Sequence, residues 1–194
     1  LGFVRNDAAR QLKAGKSKAL GLIVLDAANP FFSDLASGAE DAAASRGYSM
    51  LVGNSAHEIG REANYLKMFS EQRLSGVLIS PVDDASENIR QVRALGTQAV
   101  LVDRKADPAL CCSVSVDDVA GGRLAVSHLF EIGCRRIAFV GGPIDIQQVA
   151  DRLAGAKEAT RQSKGAATLK TYRAKAQDVL SGREVGLAIL RELK

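Results

Sequence analysis

Short, continuous apolar runs alternate with longer amphipathic stretches along most of this chain, and that rhythm narrows its fold more than any other feature. Residues 20–25 (Leu-Gly-Leu-Ile-Val-Leu), 48–53, 76–80 and 99–103 are the runs. Runs of this length with no polar alternation read as strands covered on both faces. Between them the apolar residues repeat at helical spacing. Phe32, Leu35, Ala39 and Ala42 mark one stripe, and Ile59, Ala63, Leu66 and Phe69 mark a second. A third helix is expected over residues 86–95. Strand–helix alternation with short turns specifies a doubly wound parallel sheet.

The rhythm breaks once. A strand over 112–116 follows a loop instead of a helix and runs into Asp117-Asp118-Val119-Ala120-Gly121-Gly122, the expected start of a helix reaching Gly133. Strand 136–140, helix 148–161, strand 167–172 and helix 179–193 restore the pattern. The α/β fold therefore divides into two doubly wound parallel-sheet subdomains, residues 18–115 and 116–194. The second stops on a helix where a strand should follow, so it is expected to be incomplete in this chain. Residues 1–17 form a separate leading segment.

Charge separates that segment from the rest. The net charge is +4, and the first 18 residues carry Arg5, Arg10, Lys13, Lys16 and Lys18 against Asp7 alone. The remainder is balanced. A basic end on a neutral body suggests that one end meets a polyanion. Asn6 suits an N-cap for a short helix ending at Ala14-Gly15, too short to be stable alone in water. Leu12 and the basic residues fit a DNA contact, and they also fit a solvated basic helix with Leu12 as ordinary packing. Three cysteines without metal spacing, no secretory leader and no membrane-length apolar run fit a cytoplasmic setting. No nucleophile–base pair, metal cluster or cofactor motif stands out, so no enzyme activity, metal or cofactor is expected. His128 reads as a structural residue in an apolar helix stripe beside Leu124 and Leu129, and Gly141-Gly142-Pro143 as a tight turn.

Several stretches together resemble one family. Residues 1–17 follow the pattern L-G-Y/F-x-x-N-x-x-A-x-x-L-x-x-G-x-S/T, with an apolar strand after it. Asn29-Pro30-Phe31-Phe32 follows the first strand. Asp117, Gly121-Gly122, Ala125, His128-Leu129 and Gly133 form a spaced set, followed by Arg136-Ile137-Ala138-Phe139-Val140-Gly141-Gly142-Pro143 and then Arg152-Leu153-Ala154-Gly155. In order and spacing these resemble the lac/galactose repressor family. Asp118 stands where that family usually has Asn.

The resemblance implies a fold like that of type I periplasmic binding proteins, a small-molecule effector such as a sugar held between two lobes, a homodimer, and operator DNA as partner. It makes residues 1–17 a hinge helix entering the minor groove. Asn6, Ala9 and Leu12 would lie on one side and Leu12 would wedge between base steps. Arg5, Arg10 and Lys13 would neutralise phosphates. A helix-turn-helix is expected before Leu1. For the effector, the carboxyl ends of the strands, where ligands bind in open α/β sheets, offer Asn29, Phe31 and Phe32 after the first strand, Ser80 and Asp83 after the third and Asp103 after the fourth, with Gln148 and Arg152 in the second subdomain; the resemblance favours Asp103 and Arg152 among them. Aromatic faces stack on sugar rings, carboxylates accept from hydroxyls, and a guanidinium donates paired bonds. One of the two phenylalanines is expected in the core. Asp103 also reads as a turn residue paired with Arg104, and Arg152 as a surface helix charge. The alternative is a periplasmic sugar-binding protein of a transporter, which calls for a signal peptide and no basic hinge.

Overall fold

The computed structural model describes residues 17–83 and 86–192. The hinge residues Arg5, Asn6, Ala9, Arg10, Leu12 and Lys13 lie outside the described residues. The chain divides into two compact units, Leu1–Ser115 and Val116–Lys194.

In the first unit the strands are β1 (Ala19–Val24), β2 (Ser49–Asn54), β3 (Gly76–Ile79), β4 (Gln98–Val102) and β5 (Cys112–Val114). The helices are α1 (Pro30–Ala44), α2 (Ile59–Glu71) and α3 (Ser86–Ala94). The strands form one parallel sheet in the order β2-β1-β3-β4-β5. Order reverses between β2-β1 and β3-β4, which makes the carboxyl ends of β1 and β3 the switch point of a doubly wound sheet. Alternation along β1 explains its unbroken apolar run. Ile23 joins Leu66, Phe69, Val77, Ile79 and Leu101 in one core cluster. Its neighbours Leu22 and Val24 point to the other face and pack with Leu25, Phe32 and Val102. A strand covered on both sides has no face left for polar residues.

The helix stripes differ in phase from the sequence reading. On α1 the deepest positions are Phe32 and Ala43, and Ala42 is exposed. Ala43, eleven residues from Phe32, completes three turns on the buried face. On α2 Ile59 is 53% exposed, Ala63 is exposed, and the buried positions are Glu62, Leu66 and Phe69. The helix has turned its glutamate inward because two hydrogen-bond donors await it there.

The second unit contains α4 (Asp118–Glu131), β6 (Arg136–Gly141), α5 (Gln147–Gln162), β7 (Thr168–Arg173) and α6 (Val179–Glu192). β6 and β7 pair in parallel as a two-stranded sheet. Val126, Ile137, Ala156 and Ala159 form its core, with Leu129, Cys134, Phe139 and Leu169 against them. His128 is exposed, contrary to the structural role expected for it, and Leu124 beside it is 66% exposed. The buried line of α4 runs through Gly122 and Val126 instead. No described helix is long and apolar enough to cross a membrane.

α4 and α5 meet without side chains at their crossing. A Cβ on Gly122 would stand 2.0 Å from the carbonyl oxygen of Arg152, and one on Gly155 would stand 1.9 Å from that of Val119. Only glycine lets the two backbones come this close. The paired glycines of the two sequence blocks are thus the two sides of one helix contact.

Candidate functional site

Sheet register gathers the first group of candidate residues. Ile23 of β1 pairs with Ile79 of β3, and Ile79 pairs with Leu101 of β4. The segments after these strands, with Asn29 and Phe31, Ser80 and Asp83, and Asp103, therefore leave the sheet at one carboxyl edge. This is where ligands bind in open α/β sheets.

Each residue there has a local cause. Asn29 caps α1, its side chain accepting from the Phe31 N–H at 3.1 Å, and Pro30 occupies the first turn. The cap sets the two aromatics edge to face, with centroids 5.1 Å apart. Phe32 is 5% exposed and belongs to the core, whereas Phe31 is 40% exposed. Asp103 has a left-handed backbone, φ 61°, and its N–H donates to the Val114 carbonyl at 2.8 Å. A left-handed residue ends β4 abruptly, and aspartate tolerates that conformation better than most. Arg104 donates to the carbonyl of Asp83, linking the loops after β3 and β4. Ser80 is 1% exposed, and its Oγ has no hydrogen-bond partner in the structure. A buried hydroxyl without a partner is uncommon enough to need an explanation.

Glu62 was not singled out from sequence. It is fully buried and accepts from the Val82 N–H at 2.8 Å and from Asn88 Nδ2 at 2.9 Å. One carboxylate thereby ties α2 to the loop after β3 and to α3. Burial pushes its carboxyl above the ordinary range; the Val82 and Asn88 donors oppose this, Asp83 adds to it and Arg104 opposes it. The available signal was its position, four and seven residues before Leu66 and Phe69. Its charge argued for the surface.

In the second unit, Gln148 and Arg152 stand on α5, one helical turn apart. Arg152 Nε donates to Asp118 Oδ1 at 2.6 Å, with the Arg152 side chain 50% exposed and that of Asp118 8% exposed. Asp118 lies in the first turn of α4, behind the Asp117 cap that accepts from the Ala120 N–H. Among the described residues no group of three His, Cys, Asp or Glu side chains could hold a metal ion. The open depression lined by Ser70, Arg73, Leu74, Gly96 and Thr97 lies at the amino-terminal edge of β3 and β4, opposite the candidate residues.

Residues 17–178 match the model of the periplasmic binding proteins and sugar-binding domain of the LacI family. The chain belongs to this family. Among the curated members, the ribose operon repressor of Bacillus subtilis is 31% identical over 163 residues, which is 84% of this chain and 48% of that protein. The chain spans about half the length of the curated relatives it matches. Among solved members, a periplasmic binding protein/LacI transcriptional regulator from Alkaliphilus metalliredigens complexed with D-xylulofuranose is 26% identical with a TM-score of 0.74. It covers 87% of this chain and 60% of its own. The Cra transcriptional dual regulator of Pseudomonas putida in complex with fructose 1-phosphate is 25% identical with a TM-score of 0.77, covering 91% and 63%. The periplasmic-binding-protein-like α/β fold expected from the sequence is therefore shown.

Proposed function

We propose that this chain is the effector-sensing region of a bacterial transcriptional repressor, binding a sugar or a related small metabolite and coupling it to operator DNA. The observation that carries the effector reading is the single carboxyl edge on which the register gathers Phe31, Ser80, Asp83 and Asp103. An exposed aromatic face, two carboxylates and an unpartnered hydroxyl are complementary to a ring that carries vicinal hydroxyl groups. Arg152 and Gln148 are the contacts assigned to the second unit, and Asn29 and Phe32 build the turn that presents Phe31. The boundaries 18–115 and 116–194 are retained for the two effector subdomains, with 1–17 as the hinge.

Operator binding falls to residues 1–17. Arg5, Arg10 and Lys13 meet phosphates, and Asn6, Ala9 and Leu12 face the minor groove. The working form is a cytoplasmic homodimer, because a two-fold operator calls for a two-fold protein. The effector acts by binding one of two conformations more tightly than the other, and only that difference in affinity shifts the population. The repressor names of the curated relatives support this reading over a transporter's sugar-binding protein. It assigns no catalysis, no cofactor and no metal to the chain.

A thermal-shift screen of the full-length protein against pentoses, hexoses, inositols, nucleosides and their phosphates tests the sensor. It is followed by operator titration with and without each hit. A hit that raises the melting temperature and changes operator affinity is the expected result. If no compound moves either quantity, the sensor reading fails.

A further inference from the structure

We propose that Asp118 sets the charge preference of the effector site, making it select a neutral polyhydroxyl ligand over a phosphorylated or carboxylated one. This rests on the assignment of Arg152 as an effector contact. Arg152 is the cation of the second unit's candidate pair, and an unopposed guanidinium is the side chain best suited to hold a phosphate. In this chain it is opposed. The Asp118 carboxylate lies 2.6 Å behind Nε and is almost wholly buried, while the guanidinium remains half exposed. A ligand approaching the exposed face meets an ion pair whose charges largely cancel.

The two ligand classes fare differently against such a pair. A hydroxyl oxygen accepts from an N–H with no charge to desolvate. A phosphate gives up much of its hydration and gains only the field of a near-neutral pair, with a fixed negative charge directly behind the cation. The backbones that carry the pair are held in register. Asp118 and Arg152 sit one turn from Gly122 and Gly155 respectively, on helices whose backbones already touch at those glycines. The counter-charge is therefore built into the helix crossing and travels with Arg152.

The test uses isothermal titration calorimetry on the full-length protein with ribose, fructose and myo-inositol and the monophosphate of each. Asp118→Asn keeps the size of the side chain and an oxygen able to accept from Nε. Asp118→Ser repeats the loss of charge with a smaller residue, should the amide pack badly. The wild type is expected to bind a neutral member more tightly than its monophosphate. Both variants are expected to shift that ratio toward the monophosphate by about tenfold, the scale of one removed like charge near an interface. A wild type that prefers the monophosphate, or a ratio unchanged in both folded variants, overturns the proposal. Should none of the six bind, the same comparison is made with the neutral and monophosphate forms of the compound that the thermal-shift screen identifies; a screen without any hit overturns the sensor assignment, and this inference falls with it.

Discussion

Arg152 Nε and Asp118 Oδ1 meet at 2.6 Å across the crossing of α4 and α5, with the carboxylate buried and the guanidinium half exposed. A double-mutant cycle with Asp118→Ala and Arg152→Ala, followed by urea unfolding, should give a coupling of about 1 kcal/mol, discounted for the solvent that screens the exposed arginine. Additive single effects would show that the pair contributes nothing to stability.

Gly155 permits that crossing. Gly155→Ala drives a methyl group into the Val119 carbonyl, a backbone atom that cannot swing aside. A loss of about 3 kcal/mol is expected. Gly182 on α6 has open space where a Cβ would go. Gly182→Ala should be neutral or stabilising by up to about 1 kcal/mol through helix propensity alone. Equal destabilisation of the two variants in urea melts would refute the close-contact account.

Glu62 gives a pH signature. Its folded-state carboxyl titrates above the ordinary value of about 4.3. The folded state therefore holds this proton more tightly than the unfolded chain does. The associated stability is fully present below the unfolded value and is lost as pH rises through the folded one. Measured against Glu62→Gln, which cannot ionise, the wild type should lose relative stability between about pH 4 and the folded midpoint. A relative gain over that window would mean that the Val82 and Asn88 donors, not burial, dominate.

The two phenylalanines should separate fold from binding. Phe32→Ala empties a core position and should cost about 3–5 kcal/mol. Phe31→Ala removes a ring that is 40% exposed and should cost under about 1 kcal/mol, yet weaken sugar binding. If calorimetry finds sugar affinity unchanged in Phe31→Ala, its ring does not contact the ligand.

The basic segment should govern salt dependence. Changing Arg10 and Lys13 to Ala should lower the slope of log affinity against log salt for operator DNA by about two, and leave sugar binding unchanged. An unaltered DNA slope would remove these residues from the phosphate contacts.

The central strands β1, β3 and β4 were legible in the sequence because burial on both faces leaves an unbroken apolar signature, whereas β2, at the sheet edge with Val52 53% exposed, carries such a run without that cover. The carboxyl edge followed from the alternation of strands and helices; the capping role of Asn29 did not, and became visible only in the bond from the Phe31 N–H. Helix phase was harder. Alanines at 42 and 43 are equivalent in hydropathy, and only packing decides that 43 goes inside. Glu62 was missed because a charge is read as surface unless its donors can be seen. Those donors, Val82 and Asn88, lie 20 and 26 residues further along the chain. The same distance in sequence hid the partner of Arg152, since nothing local to residue 152 points to residue 118.

The glycine contact also bears on how a load on either helix would spread. Helices separated by side chains can slip past one another by rotamer changes, and a tug on one is absorbed locally. Backbones in direct contact have no such slack. A shift of the α4 backbone at this crossing therefore has to be shared by α5, and the two helices answer a load as one member.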